Sequence, residues 1–133
     1  MPVGGGGLIS GIALYVKALY PSIRIIGVEP EESPTLHAAL QAGQPVTLER
    51  VGIFVDGVAV RRIGDEPFRI CRELVDEVIL VSNDEVCAAI RDVFEDTRAI
   101  MEPAGALAVA GIKRWLADNP SADRTFIAVN SGA

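Results

Sequence analysis

The chain has 133 residues, half of them hydrophobic and 23% charged, with a formal net charge of -6 and a pI near 4.7. That is the composition of a folded domain, or of part of one, and not of a disordered segment. The acidic balance argues against a nucleic-acid partner, which calls for a basic footprint, and no apolar run approaches the roughly 18 residues of a membrane span.

In chain order, four glycines at Gly4–Gly7 lead into Leu8, Ile9, Ile12, Ala13, Val16 and Leu19, whose spacing predicts a helix ending before Pro21. Ile23–Pro30 is β-branched and stopped by proline, as in a buried strand. Ser33 then reads as an N-cap, Pro34 as the first helical residue and Gly43 as the closing one. Val51–Val60 is apolar and interrupted by glycines, which suits an extended segment close to a ligand or another backbone. A helix from Asp65 to Val75 and a strand from Glu77 to Ser82 follow.

Ser82 and Asn83 offer a cap to the next helix, whose acidic first turn favours the positive end of its dipole. Pro103 starts another helix through Ala117, with Gly105, Ala106, Ala108, Ala110 and Gly111 permitting close packing. Residues 124–129 read as a last buried strand running into Ser131-Gly132. Alternating helices and continuously apolar strands predict a three-layer α/β fold, a mostly parallel sheet flanked by helices. Cys71 and Cys87 are too few and too distant for a zinc site or a disulfide framework, and are expected as core thiols in a reducing cytoplasm. No secretory signal follows Met1.

In open α/β sheets ligands bind beyond the carboxyl ends of strands. Gly4–Gly7 and Ser131-Gly132 both occupy such ends, so they are expected to meet at one site. Amides freed by glycine at a helix N-terminus make an anion site. The nucleotide P-loop is excluded, because no lysine follows the glycines before Lys17. The dinucleotide fingerprint fits no register, because Ile9 or Ser10 stands where its third glycine belongs. A phosphate of pyridoxal 5′-phosphate is the third possibility.

"PVGGGGLISGIA" resembles the phosphate loop of the fold-type II (tryptophan synthase β-like) pyridoxal-phosphate enzymes, in the branch of threonine dehydratases and serine racemases. The likeness continues through "VEPEESPTL", "RVGIFVDGVAVRRIGDEPFRICRELVDEVILV", "AAIRDVFEDTRAIMEPAGALAVAGIK" and the terminal "NSGA". The middle block and "EPAGALA" are more similar to biosynthetic threonine dehydratases than to racemases. The resemblance implies that Gly4, Gly5, Gly6, Gly7 and Leu8 donate amides to the cofactor phosphate. It also implies that Ser131 faces the pyridine nitrogen, and that Gly57 and Glu102 line the pocket. A seryl hydroxyl cannot protonate that nitrogen, so the ring is a weaker electron sink, which suits β-elimination.

The implied reaction deaminates L-threonine to 2-oxobutanoate and ammonia, in isoleucine biosynthesis, within a cytoplasmic homo-oligomer. The family's Schiff-base lysine precedes the glycine loop. Residues 1–133 are therefore expected to form part of the catalytic domain, without its upstream half or a regulatory domain, and to be inactive alone. No catalytic residue is assigned within the chain. A serine dehydratase or racemase, or a non-catalytic α/β module binding phosphate or nucleotide, are the alternatives.

The remaining polar residues have plainer readings. Lys17 and Lys113 are expected as solvated surface charges, and Asp92, Glu95 and Asp96 as a solvated helix face. Glu29, Glu31 and Glu32 are expected as solvated loop charge and not a metal cluster, since the acid that metal-binding racemase relatives supply next aligns with Thr35. His37 is expected as a partly exposed structural histidine. Absent neighbours predict exposed apolar surface.

Overall fold

Two five-residue strands carry the fold: β1 (Ile26–Pro30) and β2 (Glu77–Val81). They pair in parallel, with Ile26 opposite Glu77 and Pro30 opposite Val81, and Pro2 adds a parallel bridge to Val28. The computed structural model describes residues 1–121 and 123–133. Around the strands run α1 (Gly7–Leu19), α2 (Thr35–Ala42), α3 (Asp65–Leu74), α4 (Asn83–Thr97) and α5 (Pro103–Asp118). A 3-10 turn spans Asp56–Val58.

Strand alternation sorts the apolar residues into two cores, one on each face of the sheet. Val28, Ile79 and Val81 join Val86 and Ala89 of α4 and Ala106, Leu107 and Ala110 of α5. On the other face Val78 packs with Ile9 and Ala13 of α1, Leu36 and Ala39 of α2, and Phe68 and Cys71 of α3. Each fully buried Ile, Leu or Phe contributes roughly 1.5–3 kcal/mol of transfer free energy. The result is the expected α/β arrangement of three layers, helices on both faces of a parallel sheet. At Gly111 an added Cβ would run into the Val28 side chain, so the missing side chain is what lets α5 lie this close to β1.

Local signals account for several helix ends. Ser82 and Glu85 form a reciprocal capping box at α4: the Glu85 amide donates to Ser82 Oγ, and the Ser82 amide donates to the Glu85 carboxylate at 2.7 Å. Pro103 opens α5, and Gly43 closes α2 in the left-handed region at φ 71°.

Several expectations are corrected. Ile23–Ile25 do not join β1: the Ile23 amide turns back to the Tyr20 carbonyl, and the Ile25 amide donates to the Asp76 carboxylate at 2.6 Å in place of a strand neighbour. Ser33 does not cap α2, which begins at Thr35 with Pro34 outside it. Residues 124–129 form no strand. Their β-branched side chains run beside an apolar groove, and no ladder of backbone bonds joins them to β1 or β2 among the described residues; without a partner's backbone, β-propensity makes no strand. Cys71 is buried as expected, but Cys87 is exposed, on the outer side of α4.

Lys17 is not a free surface charge either. It pairs with Asp76 at 2.7 Å, and its side chain is only 16% exposed. Lys113 pairs with Asp92, and Arg114 reaches Glu85 at 3.2 Å, so α5 is clipped to α4 by ion pairs at their rim. Exposed apolar surface is present as expected, concentrated on α1 at Leu8, Leu14, Tyr15 and Leu19 and continuing to Tyr20. No helix among the described residues is long and apolar enough to cross a membrane.

Candidate anion and cofactor site

The glycine loop is held by its carbonyls. The Gly4 carbonyl accepts from Thr35 Oγ1 at 2.8 Å, the Gly5 carbonyl from the Gly64 amide at 3.1 Å, and the Gly6 carbonyl from the Ser10 amide at 3.0 Å. Among the described residues, no protein acceptor meets the amides of residues 4–9. Six successive N–H groups at the head of α1 are thus left for something else, where the helix dipole adds partial positive charge. Gly6, the N-cap, sits at φ 86°, and an added Cβ would lie 2.8–2.9 Å from Pro67 and Ile63. Only glycine takes that conformation and that space together.

A cavity of about 240 Å3 opens beside this turn. Its walls include Gly4, Gly5, Gly6, Gly7 and Leu8, Gly57 with Val58 from the 3-10 turn, Glu102 with Ala104 from the head of α5, and Ser131. All eight residues that the sequence singled out therefore line one cavity, brought from four separate stretches of chain. Pro2, Val58 and Ala104 also line it and were not foreseen; Val58 is legible only as the neighbour of Gly57. Thr35 stands behind the loop and was missed as well.

The walls fit an anionic ligand. A Cβ at Gly4 would lie 3.0 Å from Val58 Cα, and one at Gly57 would lie 2.8 Å from the Ala104 methyl, so these two glycines are pressed against the far wall. A Cβ at Gly5 or Gly7 would meet nothing within 4 Å, which marks the open side of the cradle. The donors are backbone amides, suited to a phosphate. Neither Lys17 nor Lys113 lines the cavity. Among the described residues no group of three or more His, Cys, Asp or Glu side chains is arranged to hold a metal ion. The larger apolar groove, about 520 Å3, lies between α1, β1, α5 and residues 124–129, away from the glycine loop.

Glu29 is the main correction among the polar residues. It is wholly buried, not solvated, and caps α2 from the end of β1: the Leu36 and His37 amides donate to its carboxylate at 2.7 and 2.9 Å. Burial pushes its pKa up, and the amide hydrogen bonds from Leu36 and His37 oppose that without cancelling it. Glu31 and Glu32 are exposed as expected, and His37 is half-buried.

The sequence pattern of the family described as "Pyridoxal-phosphate dependent enzyme" matches residues 1–132. The chain belongs to that family. This pyridoxal-phosphate dependent family member is 53% identical over 133 residues to the biosynthetic L-threonine dehydratase of Pasteurella multocida, covering 100% of this chain and 26% of that protein. It is 52% identical over 137 residues to the mitochondrial threonine dehydratase of Saccharomyces cerevisiae, covering 100% of this chain and 24% of that one. The chain thus spans about a quarter of the length of these curated relatives.

Among solved structures, the processed form of threonine deaminase isoform 2 from Solanum lycopersicum superposes with a TM-score of 0.96 at 42% identity, over 99% of this chain and 38% of that one. Serine racemase from Dictyostelium discoideum superposes with a TM-score of 0.82 at 31% identity, over 99% of this chain and 43% of that one.

Proposed function

We propose that this chain is the phosphate-binding part of a pyridoxal-phosphate dependent lyase that deaminates L-threonine to 2-oxobutanoate and ammonia, the entry to isoleucine biosynthesis. The observation that carries the reading is the single cavity in which the unpartnered amides of the glycine loop face Ser131 from the other end of the sequence. In this reading the amides of Gly4–Leu8 grip the cofactor phosphate, and the helix dipole of α1 supports its charge. Ser131 places a neutral hydroxyl at the pyridine nitrogen. Gly57 leaves room for the ring against Ala104, and Glu102 stands at the cavity wall without adding a cation. Bound there, pyridoxal phosphate supplies the electron sink for cleavage at the substrate α-carbon.

Threonine deamination is favoured over serine racemisation because, among solved structures, identity is 42% and 40% to two threonine deaminases and 37% and 31% to two serine racemases. The free thiols Cys71 and Cys87 suit a reducing compartment, and the proposal places the enzyme in the cytoplasm as a homo-oligomer acting on a small amino acid. A titration of the 133-residue chain with pyridoxal phosphate and with pyridoxal tests the site, with tighter binding of the phosphorylated form expected. Equal affinity for the two would refute the phosphate cradle. Release of 2-oxobutanoate from threonine by a full-length protein carrying this chain tests the reaction; cofactor binding without turnover would leave a phosphate-binding module.

A further inference from the structure

Glu29 and Thr35 lie behind the cavity and have no part in the contacts just described. Thr35 Oγ1 is 2.8 Å from the Gly4 carbonyl oxygen and 3.0 Å from Glu29 Oε1. A hydroxyl carries one proton and cannot donate to both acceptors. If it donates to Glu29, an unshielded pair of oxygens is left facing across 2.8 Å at Gly4. If it donates to Gly4, the second proton must come from the acid. A chain running from the acid O–H to Thr35 Oγ1, and from Thr35 O–H to the Gly4 carbonyl, gives each of the two contacts a proton of its own.

Burial favours the neutral acid, against the Leu36 and His37 amides that favour its ionised form. Thr35 and Glu29 are both wholly buried. Cys71 on α3 has a thiol pushed up to about 11, by burial first, so it stays protonated and brings no charge to the acid. His37 on α2 meets the acid through its backbone amide, the register partner Leu80 on β2 is apolar, and the glycine loop brings no side-chain charge. The Gly4 carbonyl and the Gly5 amide belong to one planar trans peptide unit, so they point in opposite directions. Holding the carbonyl at Thr35 turns the Gly5 N–H the other way, and Gly5 is on the cavity wall with that N–H unpartnered. Glycines on both sides would otherwise let this peptide rotate freely and offer a carbonyl oxygen to the anion.

We propose that Thr35, backed by protonated Glu29, is a positioning residue for the anion cradle: it locks the Gly4–Gly5 peptide so that an N–H and not a C=O faces the bound phosphate. The inference rests on the reading of the cavity as a phosphate site. The test uses Thr35→Val, which keeps the shape and removes the hydroxyl, and Thr35→Ser, which restores it. Thr35→Val should weaken pyridoxal phosphate binding by about tenfold, the worth of one hydrogen bond, while pyridoxal binding changes by less than about twofold. Thr35→Ser should return to within about twofold of wild type. Unchanged affinity in Thr35→Val, or an equal loss for both ligands, would overturn the proposal.

A readout without ligand separates the two readings. The carbonyl carbon resonance of Gly4 should follow the ionisation of Glu29, above the usual carboxylate range, in wild type but not in Thr35→Val. A resonance flat with pH in wild type would remove the acid from the relay, whether or not the cofactor binds. Failure of the wild-type chain to bind pyridoxal phosphate, with the Gly4 titration intact, would instead overturn the cofactor reading and leave the relay standing.

Discussion

Replacing Gly6 by alanine separates the loop's architecture from its chemistry. The residue holds φ at 86°, and the new methyl would lie 2.9 Å from Ile63 Cδ1 and 2.8 Å from Pro67 Cβ. The left-handed backbone costs an alanine about 1–2 kcal/mol, and pressing a methyl into a packed wall costs about 1–3 kcal/mol more. Ile63 is itself fully buried, so it has little room to retreat. The sum of roughly 2–5 kcal/mol would lower the melting temperature of a domain this size by on the order of 10 °C. Gly7→Ala is the control: its methyl meets nothing within 4 Å, and at the first position of α1 alanine should be neutral or slightly stabilising. Thermal melts followed by circular dichroism, on both variants and wild type, measure the difference. A Gly6→Ala melt within about 2 °C of wild type would show that the loop does not take this turn against Ile63 and Pro67.

Ser82→Ala removes the serine half of the capping box at α4 and should reduce stability by about 1 kcal/mol in urea denaturation, with Ser82→Asp recovering most of it. At Asp76, burial pushes the carboxyl up, but Lys17, the Ile25 amide and Arg24 outweigh burial and hold it below the ordinary aspartate range. A depressed folded-state pKa gives stability that is fully present above the unfolded value near 4 and lost as pH falls through the folded one. Asp76→Asn should therefore be less stable than wild type at neutral pH, by up to about 1 kcal/mol for a pair still partly open to solvent, and the gap should close below about pH 4. Urea midpoints of the two proteins measured from pH 7 downward give the curve; a gap constant with pH would refute the assigned ion pair.

What could be read in advance was whatever a short stretch decides by itself. The serine cap of α4 at Ser82, the proline at the head of α5 and the glycine ending α2 are each local, and each stands where expected. The glycine loop was legible for the same reason, and Ser131 lines the same cavity although the strand expected to carry it does not form. Ser33 misled because α2 takes its cap from Glu29, a residue of the preceding strand, and no spacing rule within the helix shows that. Lys17 looked solvated because its partner Asp76 is far along the chain. Residues 124–129 have strand-like side chains, but a strand is a property of a pair, and no partner backbone lies alongside them among the described residues. Thr35 reaches the glycine loop through a hydrogen bond to the Gly4 carbonyl across 31 positions of sequence, which no local spacing shows.

Ser131 arrives at the cavity on a tail held lightly. The Gly132 carbonyl accepts from the Glu102 amide at a long 3.4 Å, and Gly105 leaves space for the tail that any side chain there would fill. The tail is consequently part of the site, held to the head of α5 by one long backbone bond. A ligand gripped at one end by the loop and at the other by Ser131 would act as a clasp, closing the sequence between positions 4 and 131 much as a crosslink does. At a hundredfold excess over its Kd such a ligand would add about 2.7 kcal/mol to the folded state. Part of that gain would appear as order along the tail that carries Ser131.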